Sequence, residues 1–342
     1  MPQINPMIIG IYSGKRKPAD IIEFLSPFVD EMEDVYKNGI TVNGHKISVS
    51  VRCIICDSPA RSFVKGVANF NAQNGCQKCT VEGEYSHISH CNYYPQIRSD
   101  LRTDRGFRDK VYGYHHKTDS PLLRLPLNMI DDFPVGDSLH LIDLGIMKRH
   151  LIGWRDGNMG NYRAKWTAKT TADISKRLKQ MKMPAEIHRS VRGLDCLSHW
   201  KGTEYRTFFY YLSIVILKPV LPSDIYEHFL VLYCAVIICS SKNYQHLLDL
   251  AHELLLHYLD IFKKIYGEDY MTSNVHNLNH LVDDVKKFGV LSEFNAYPFE
   301  SKLCQIKHML RTGNNTQSKR RKNYEMQDPS IKKPNYSREQ KS

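Results

Sequence analysis

Cys76 and Cys79 stand three apart in the stretch NGCQKCTVEG, residues 74–83, directly behind an Asn-Gly turn. A turn keeps both sulfurs on one side of the chain, and two thiolates are half of a closed tetrahedral zinc site. The other half has two sources. HNLNH places His276 and His280 at i, i+4 on a predicted helix, so both rings share a face. YSHISHC offers His87, His90 and Cys91 close by, enough for a local knuckle. Spacing alone leaves the two completions level. The plainer readings are surface thiols and histidines that merely pack. A second pair, Cys53 and Cys56 in CIIC, falls on a predicted strand, where residues three apart face opposite ways. Those two read as small buried hydrophobes.

Several carboxylates could do chemistry or could simply cap helices. Asp57 ends a predicted strand and precedes Ser-Pro-Ala, a helix start; it is a metal-binding acid at a sheet edge or an N-cap. Asp137 and His140 stand three apart at another helix start, close enough to hydrogen-bond. Glu300, in YPFE, opens a further helix, where a carboxylate suits the dipole. Glu204 and Arg206 read as a capping and ion-pair element. Lys319, Arg320, Arg321 and Lys322 form a basic run in a polar tail, either a nuclear signal or polyphosphate contact, or a solvated charge run.

The elements that must position these residues follow from periodicity. MIIGIY (7–12) predicts a short buried strand. Residues 19–39 predict a helix with Ile22, Leu25, Val29, Met32 and Val35 on one face, ended by Gly39, with Pro27 marking a kink or break near Ser26. Residues 40–57 predict a hairpin turning at Asn43-Gly44, its second strand running through Val49, Val51 and Ile54 to Asp57. Residues 85–135 are loop-rich. Helices follow near 137–151, 168–182, 204–218, 222–240, 242–265, 272–287 and 298–310, and residues 316–342 read as disordered.

The chain has 342 residues, a formal charge of +11 and mean hydropathy of −0.43. No apolar run near the roughly 20 residues of a membrane helix is evident, and no signal peptide. Nine scattered cysteines favour reduced thiols in cytosol or nucleus. The basic balance favours polyanion partners, nucleic acid first, although many basic proteins bind nothing acidic.

The order of motifs adds a resemblance. CIICDSPARSFVKGVANFNAQNGCQKCTVEGEY, RTDRGFR (102–108), SPLLRLPLNMIDDFPVGDSLHLIDLGIMKRHLIGW, WKGTEYRTFFYYLSIVILKPVLP and VHNLNHLVDDVKKFGVLSEFNAYPFE occur in that succession. The chain thereby resembles the transposases of CACTA-type DNA transposons, animal branch, over residues 7 to 311. The resemblance implies an α/β plus α fold, a partial RNase H-like core interrupted by a large helical insertion and clipped by zinc. Core residues would be 1–70, the zinc-clip segment 71–135, the insertion 136–290, the final core helix 291–312 and the basic tail 313–342. Asp57 and Glu300 would be catalytic carboxylates, and Asp137 with His140 a supporting element. By analogy with the more distant V(D)J recombinase core, His276 and His280 would complete the zinc site of Cys76 and Cys79. The implied chemistry is two-metal phosphoryl transfer on DNA with Mg²⁺ or Mn²⁺. Implied partners are transposon ends and a second copy of the chain, with no membrane or small-molecule substrate, and the implied location is the nucleus.

The sequence departs from that family at its start. MIIGIY matches the third core strand, so nothing matches the strand that carries the first catalytic Asp, and Asp20 and Asp30 sit on a predicted helix. An N-terminal DNA-binding domain is unmatched as well. The expectation is a transposon-derived or truncated copy with an incomplete catalytic site. The alternative is a zinc-stabilised helical module that binds DNA or protein without catalysis.

Overall fold

The structure, a computed structural model, describes residues 5–12, 14, 17–187 and 189–308. The chain divides into two compact units. Asp20–Ala296 forms one, and the stretches up to Ala19 and from Tyr297 onward form the other. The basic run 319–322 lies outside the described residues.

In the larger unit, helix α1 (Ile21–Asn38) starts where Asp20 accepts a hydrogen bond from the Ile22 amide, and it ends at Gly39, φ +70°. The helix runs through Pro27 without the expected break. Leu25, Phe28, Val29, Met32 and Tyr36 recur at helical spacing and pack against Leu122, Leu127 and Phe133. Strands β1 (Ile40–Val42) and β2 (His45–Ile47) pair antiparallel about Asn43-Gly44. Both turn residues have positive φ, as a two-residue hairpin turn requires.

The second strand does not continue to Asp57. Beyond Ile47 the backbone is held by single bonds instead of a ladder: the Val51 amide donates to Tyr36 Oη (2.9 Å) and the Ile54 amide to the Asp132 carbonyl (2.8 Å). MIIGIY, in the smaller unit, is not a strand either, and Met7 and Ile9 are exposed. An alternating or apolar run becomes a strand only when a neighbour takes up its amides and carbonyls. Among the described residues the sheets are β1–β2 and one further hairpin, β3 (Glu84–Ser86) with β4 (Cys91–Tyr93).

Helix α2 (Ser58–Lys65) precedes the loop-rich region, and the short α3 (Asp104–Arg108) lies within it. The rest of the larger unit is helical, as periodicity predicts. A π-helical segment, Ser138–Met147, runs into α4 (Lys148–Asp156). Then come α5 (Ala168–Gln180), α6 (Gly202–Thr207), α7 (Ser213–Leu217), α8 (Ser223–Ser240), α9 (Leu248–Tyr266), α10 (Ser273–Asn277) and α11 (Leu281–Phe288). Helix α8 is long and apolar enough to cross a membrane by length and composition alone, as buried core helices can be. It is a core helix here: Phe229, Leu232 and Val236 are buried in the main hydrophobic cluster with Leu255, Leu259 and Phe262 of α9. In the smaller unit, α12 (Tyr297–His308) carries no buried residue.

Candidate metal centre

The two halves of the predicted zinc site meet. Cys76 Sγ lies 3.5 Å from Cys79 Sγ and 3.6 Å from His280 Nε2. Cys79 Sγ lies 3.3 Å from His276 Nε2, and the two histidine Nε2 atoms are 3.3 Å apart. A tetrahedral zinc with ordinary Zn–S and Zn–N bonds sets its ligands about 3.8 Å apart for S–S, about 3.5 Å for S–N and about 3.3 Å for N–N. The observed separations agree within about 0.3 Å, by that same geometry. All four side chains are buried, so the donor set is closed to solvent, as structural sites are. The residues present therefore fit a zinc ion.

Local chemistry explains why each ligand points inward. Gly75 lets the cysteine loop fold tightly: a Cβ there would come within 2.6 Å of both the Asn69 carbonyl and Tyr94 Oη. The Cys79 amide donates to Cys76 Sγ (3.4 Å), and buried Arg102 donates from Nε to the Cys76 carbonyl (3.1 Å). His276 lies in the last turn of α10 and His280 ends a 3₁₀ turn, Leu278–His280, that leads into α11. The i, i+4 spacing survives this tightening, and Tyr94 lies against the His276 ring at 5.5 Å. Burial opposes ionisation of Cys76, but the Cys79 hydrogen bond and the two adjacent imidazoles hold its thiol well below the ordinary value. Cys79 is pushed up, first by that same bond and then by burial. Cysteine binds zinc as the thiolate, so metal binding at this pair would release protons.

Two functional side chains went unnoticed in the sequence. Lys78, between the cysteines, forms a buried ion pair with Asp284 of α11 (2.8 Å) and donates to the Ile130 carbonyl (3.1 Å). Asp284 also accepts from the Val135 and Gly136 amides, at 2.6 and 2.8 Å. The signal was present: His276, His280 and Asp284 stand at successive i, i+4 positions, so one helical face carries both ligands and the salt-bridge acid.

The rivals lie elsewhere. His87 and His90 are exposed in the β3–β4 turn, and Cys91 Sγ contacts Ser89 Oγ at 3.1 Å. Cys53 packs against the main core, and burial pushes the Cys56 thiol up to about 11, as expected of inert cysteines.

Asp57 caps α2, accepting from the Ala60 amide at 2.8 Å. Asp137 is buried. It caps the π-helical segment, bonds His140 Nδ1, and accepts from the Ala296 amide at 2.8 Å. Glu300 is exposed in the first turn of α12. Glu204 caps α6 as predicted, but its buried carboxylate pairs with Arg192 (2.7 Å), while Arg206 lies over the Tyr210 ring. Among the described residues, the cysteine–histidine cluster is the one group of three or more such side chains close enough to hold a metal ion.

Fold and site together define a predominantly helical protein with a few short antiparallel strands and a buried Cys₂His₂ cluster able to bind zinc. No protein-family profile, characterised protein or solved structure matches the chain.

Proposed function

We propose that this chain is a zinc-clipped, transposase-like DNA-binding protein of CACTA type. The observation that carries the reading is the meeting of Cys76 and Cys79 with His276 and His280 across 204 residues between Cys76 and His280. That is the ligand set the resemblance implies, and spacing alone did not select it. The charge of +11 supports a polyanion partner. In this reading the zinc is structural and joins the segment after Asp57 to the segment before Glu300. Asp57 and Glu300 descend from the carboxylates of an RNase H-like core that served Mg²⁺- or Mn²⁺-dependent strand transfer. The chain binds DNA without cutting it. In support, the Asp57 carboxylate is engaged as a helix cap. The run 319–322 is proposed as a nuclear signal, and a second copy of the chain as the partner at transposon ends.

Zinc content and DNA affinity of the purified protein test this. One zinc per chain is expected. Cys76→Ser and His280→Ala should lose it, and the double change His87→Ala with His90→Ala should keep it. Duplex DNA should bind with affinity that falls steeply as salt rises, and no cleavage should follow addition of Mg²⁺ or Mn²⁺. Zinc retained by His280→Ala overturns the clip. Zinc without DNA binding makes the chain a protein-interaction module.

A further inference from the structure

Away from the zinc cluster, the π-helical segment, α4 and the turn Glu268–Tyr270 border a cavity of about 320 Å³. Lys148 and Arg149 line it, both partly exposed, and no carboxylate does. Arg149 is held in place by uncharged partners. Its Nη1 donates to Thr272 Oγ1 at 2.5 Å and its Nη2 to the Tyr270 carbonyl at 3.1 Å, and the guanidinium lies 5.5 Å from the Tyr270 ring centroid. The ionisable groups that act on it are Cys91, Tyr258 and Tyr270, none of them a carboxylate, and burial opposes its charge. A guanidinium stays protonated all the same. Lys148 makes no ion pair among the described residues either. Leu144 and Ile152, both partly exposed, give the cavity an apolar side.

We infer that this cavity binds a small phosphate monoester, a site that goes beyond the DNA-binding reading and does not rest on it. Charges withdrawn from water are ordinarily paired. Lys78, Arg155 and Arg192 obey that rule, each meeting a carboxylate within 2.8 Å. Arg61, Lys65 and Arg102 have no carboxylate partner, but they are 5% exposed or less and closed to any ligand. Lys148 and Arg149 differ in being adjacent, uncompensated and open to solvent in one concavity. Charge selects the ligand. Two cations match a monoester, which carries about −1.5 to −2 at pH 7, better than a carboxylate or a backbone phosphodiester with a single charge. The guanidinium is already oriented by Thr272 and Tyr270, so little freedom is lost when an oxyanion meets it. Size agrees. Small-molecule sites start near 300 Å³, room for a phosphate and a compact body lying on Leu144 and Ile152.

The test is calorimetric titration of the zinc-loaded full-length protein with phenyl phosphate, and with phenyl sulfate, which has the same shape and one charge. Phenyl phosphate should bind one site per chain with Kd at or below about 1 mM, and phenyl sulfate about tenfold more weakly. Lys148→Gln removes a partly exposed ammonium that makes no ion pair, and should weaken phenyl phosphate binding about tenfold. Arg149→Lys keeps the charge and loses the fork, and should weaken it as well. Lys165→Gln, outside the cavity, should leave it unchanged. Each variant's zinc content and circular dichroism are first matched to the parent. Lys148→Gln binding like the parent overturns the site, as does equal affinity for phosphate and sulfate. No heat from phenyl phosphate at several times that concentration overturns it too and leaves the DNA-binding reading standing. Displacement of phenyl phosphate by an oligonucleotide with a 5′-hydroxyl end, at matched phosphate concentration, makes the cavity part of a DNA surface and overturns the small ligand.

Discussion

Replacing Asp284 by Ala should cost more than its single ion pair suggests. The carboxylate is buried and holds three partners: Lys78 Nζ at 2.8 Å and the amides of Val135 and Gly136. Its removal leaves the Lys78 ammonium buried with only the Ile130 carbonyl, and breaking one side of a buried pair costs about 3–5 kcal/mol. Two orphaned amides belong to the same loss, each worth about 1–3 kcal/mol on its own. These costs overlap, so about 4 kcal/mol is expected. Asp284→Asn retains an acceptor for the amides and loses the charge, and should fall near 2 kcal/mol. The comparison is Asp249→Ala, which removes a pair of similar length (2.6 Å) to Lys286 on the surface, where solvent screens both charges, and should cost far less. Urea denaturation of the zinc-loaded proteins, fitted with a common slope, reads all three. Equal losses for Asp284→Ala and Asp249→Ala would refute the reasoning. A pair change, Lys78→Met with Asp284→Leu, should recover part of the loss by removing both charges together.

Gly160→Ala should destabilise by about 3 kcal/mol or more in thermal or urea unfolding: φ is +60° and a Cβ would sit 1.6 Å from the Tyr266 carbonyl oxygen. Gly44→Ala, at φ +81° with open space around it, should cost only about 1–2 kcal/mol. Asp57→Ala should cost about 1 kcal/mol as a lost cap, Asp57→Ser should restore it, and DNA affinity should change in neither. Burial lowers the His150 pKa from 6.5 to about 3 and that of His228 to about 4. Both rings are neutral when folded while the unfolded chain takes up protons below about pH 6.5. Stability is therefore whole above that pH and lost as pH falls toward 4, and His150→Leu should flatten that slope in pH-dependent urea unfolding.

The helices of the larger unit were legible because they bury an apolar stripe or, in α8, most of the surface, and period reveals that. The Asn43-Gly44 turn was legible because few residue pairs accept positive φ twice in succession. The strand length was not. Val49, Val51 and Ile54 alternate like a strand, but whether amides meet a ladder or a tyrosine hydroxyl is settled by residues distant in sequence. The zinc cluster stood halfway. Its residue types were visible, and spacing left two completions level; the family resemblance pointed to His276 and His280, and the packing of α10 and the turn after it against the cysteine loop brings those two to the cysteines. Asp284 continues the i, i+4 series of His276 and His280, but any helical face shows that spacing, and nothing in the sequence marks Lys78 as its partner.

The ligand set also imposes an order on synthesis. Cys79 and His276 are 197 positions apart. At about 5–20 residues per second, roughly 10–40 s pass between the emergence of the first pair and the second. During that interval the cysteines have no histidines to close around a cation. The site closes only after nearly the whole helical region has been made, so a chain halted anywhere before His280 carries an open dithiol. Metal occupancy then reports on completion: a cell's thiol oxidants and its degradation machinery meet unfinished copies as one chemical species and finished copies as another.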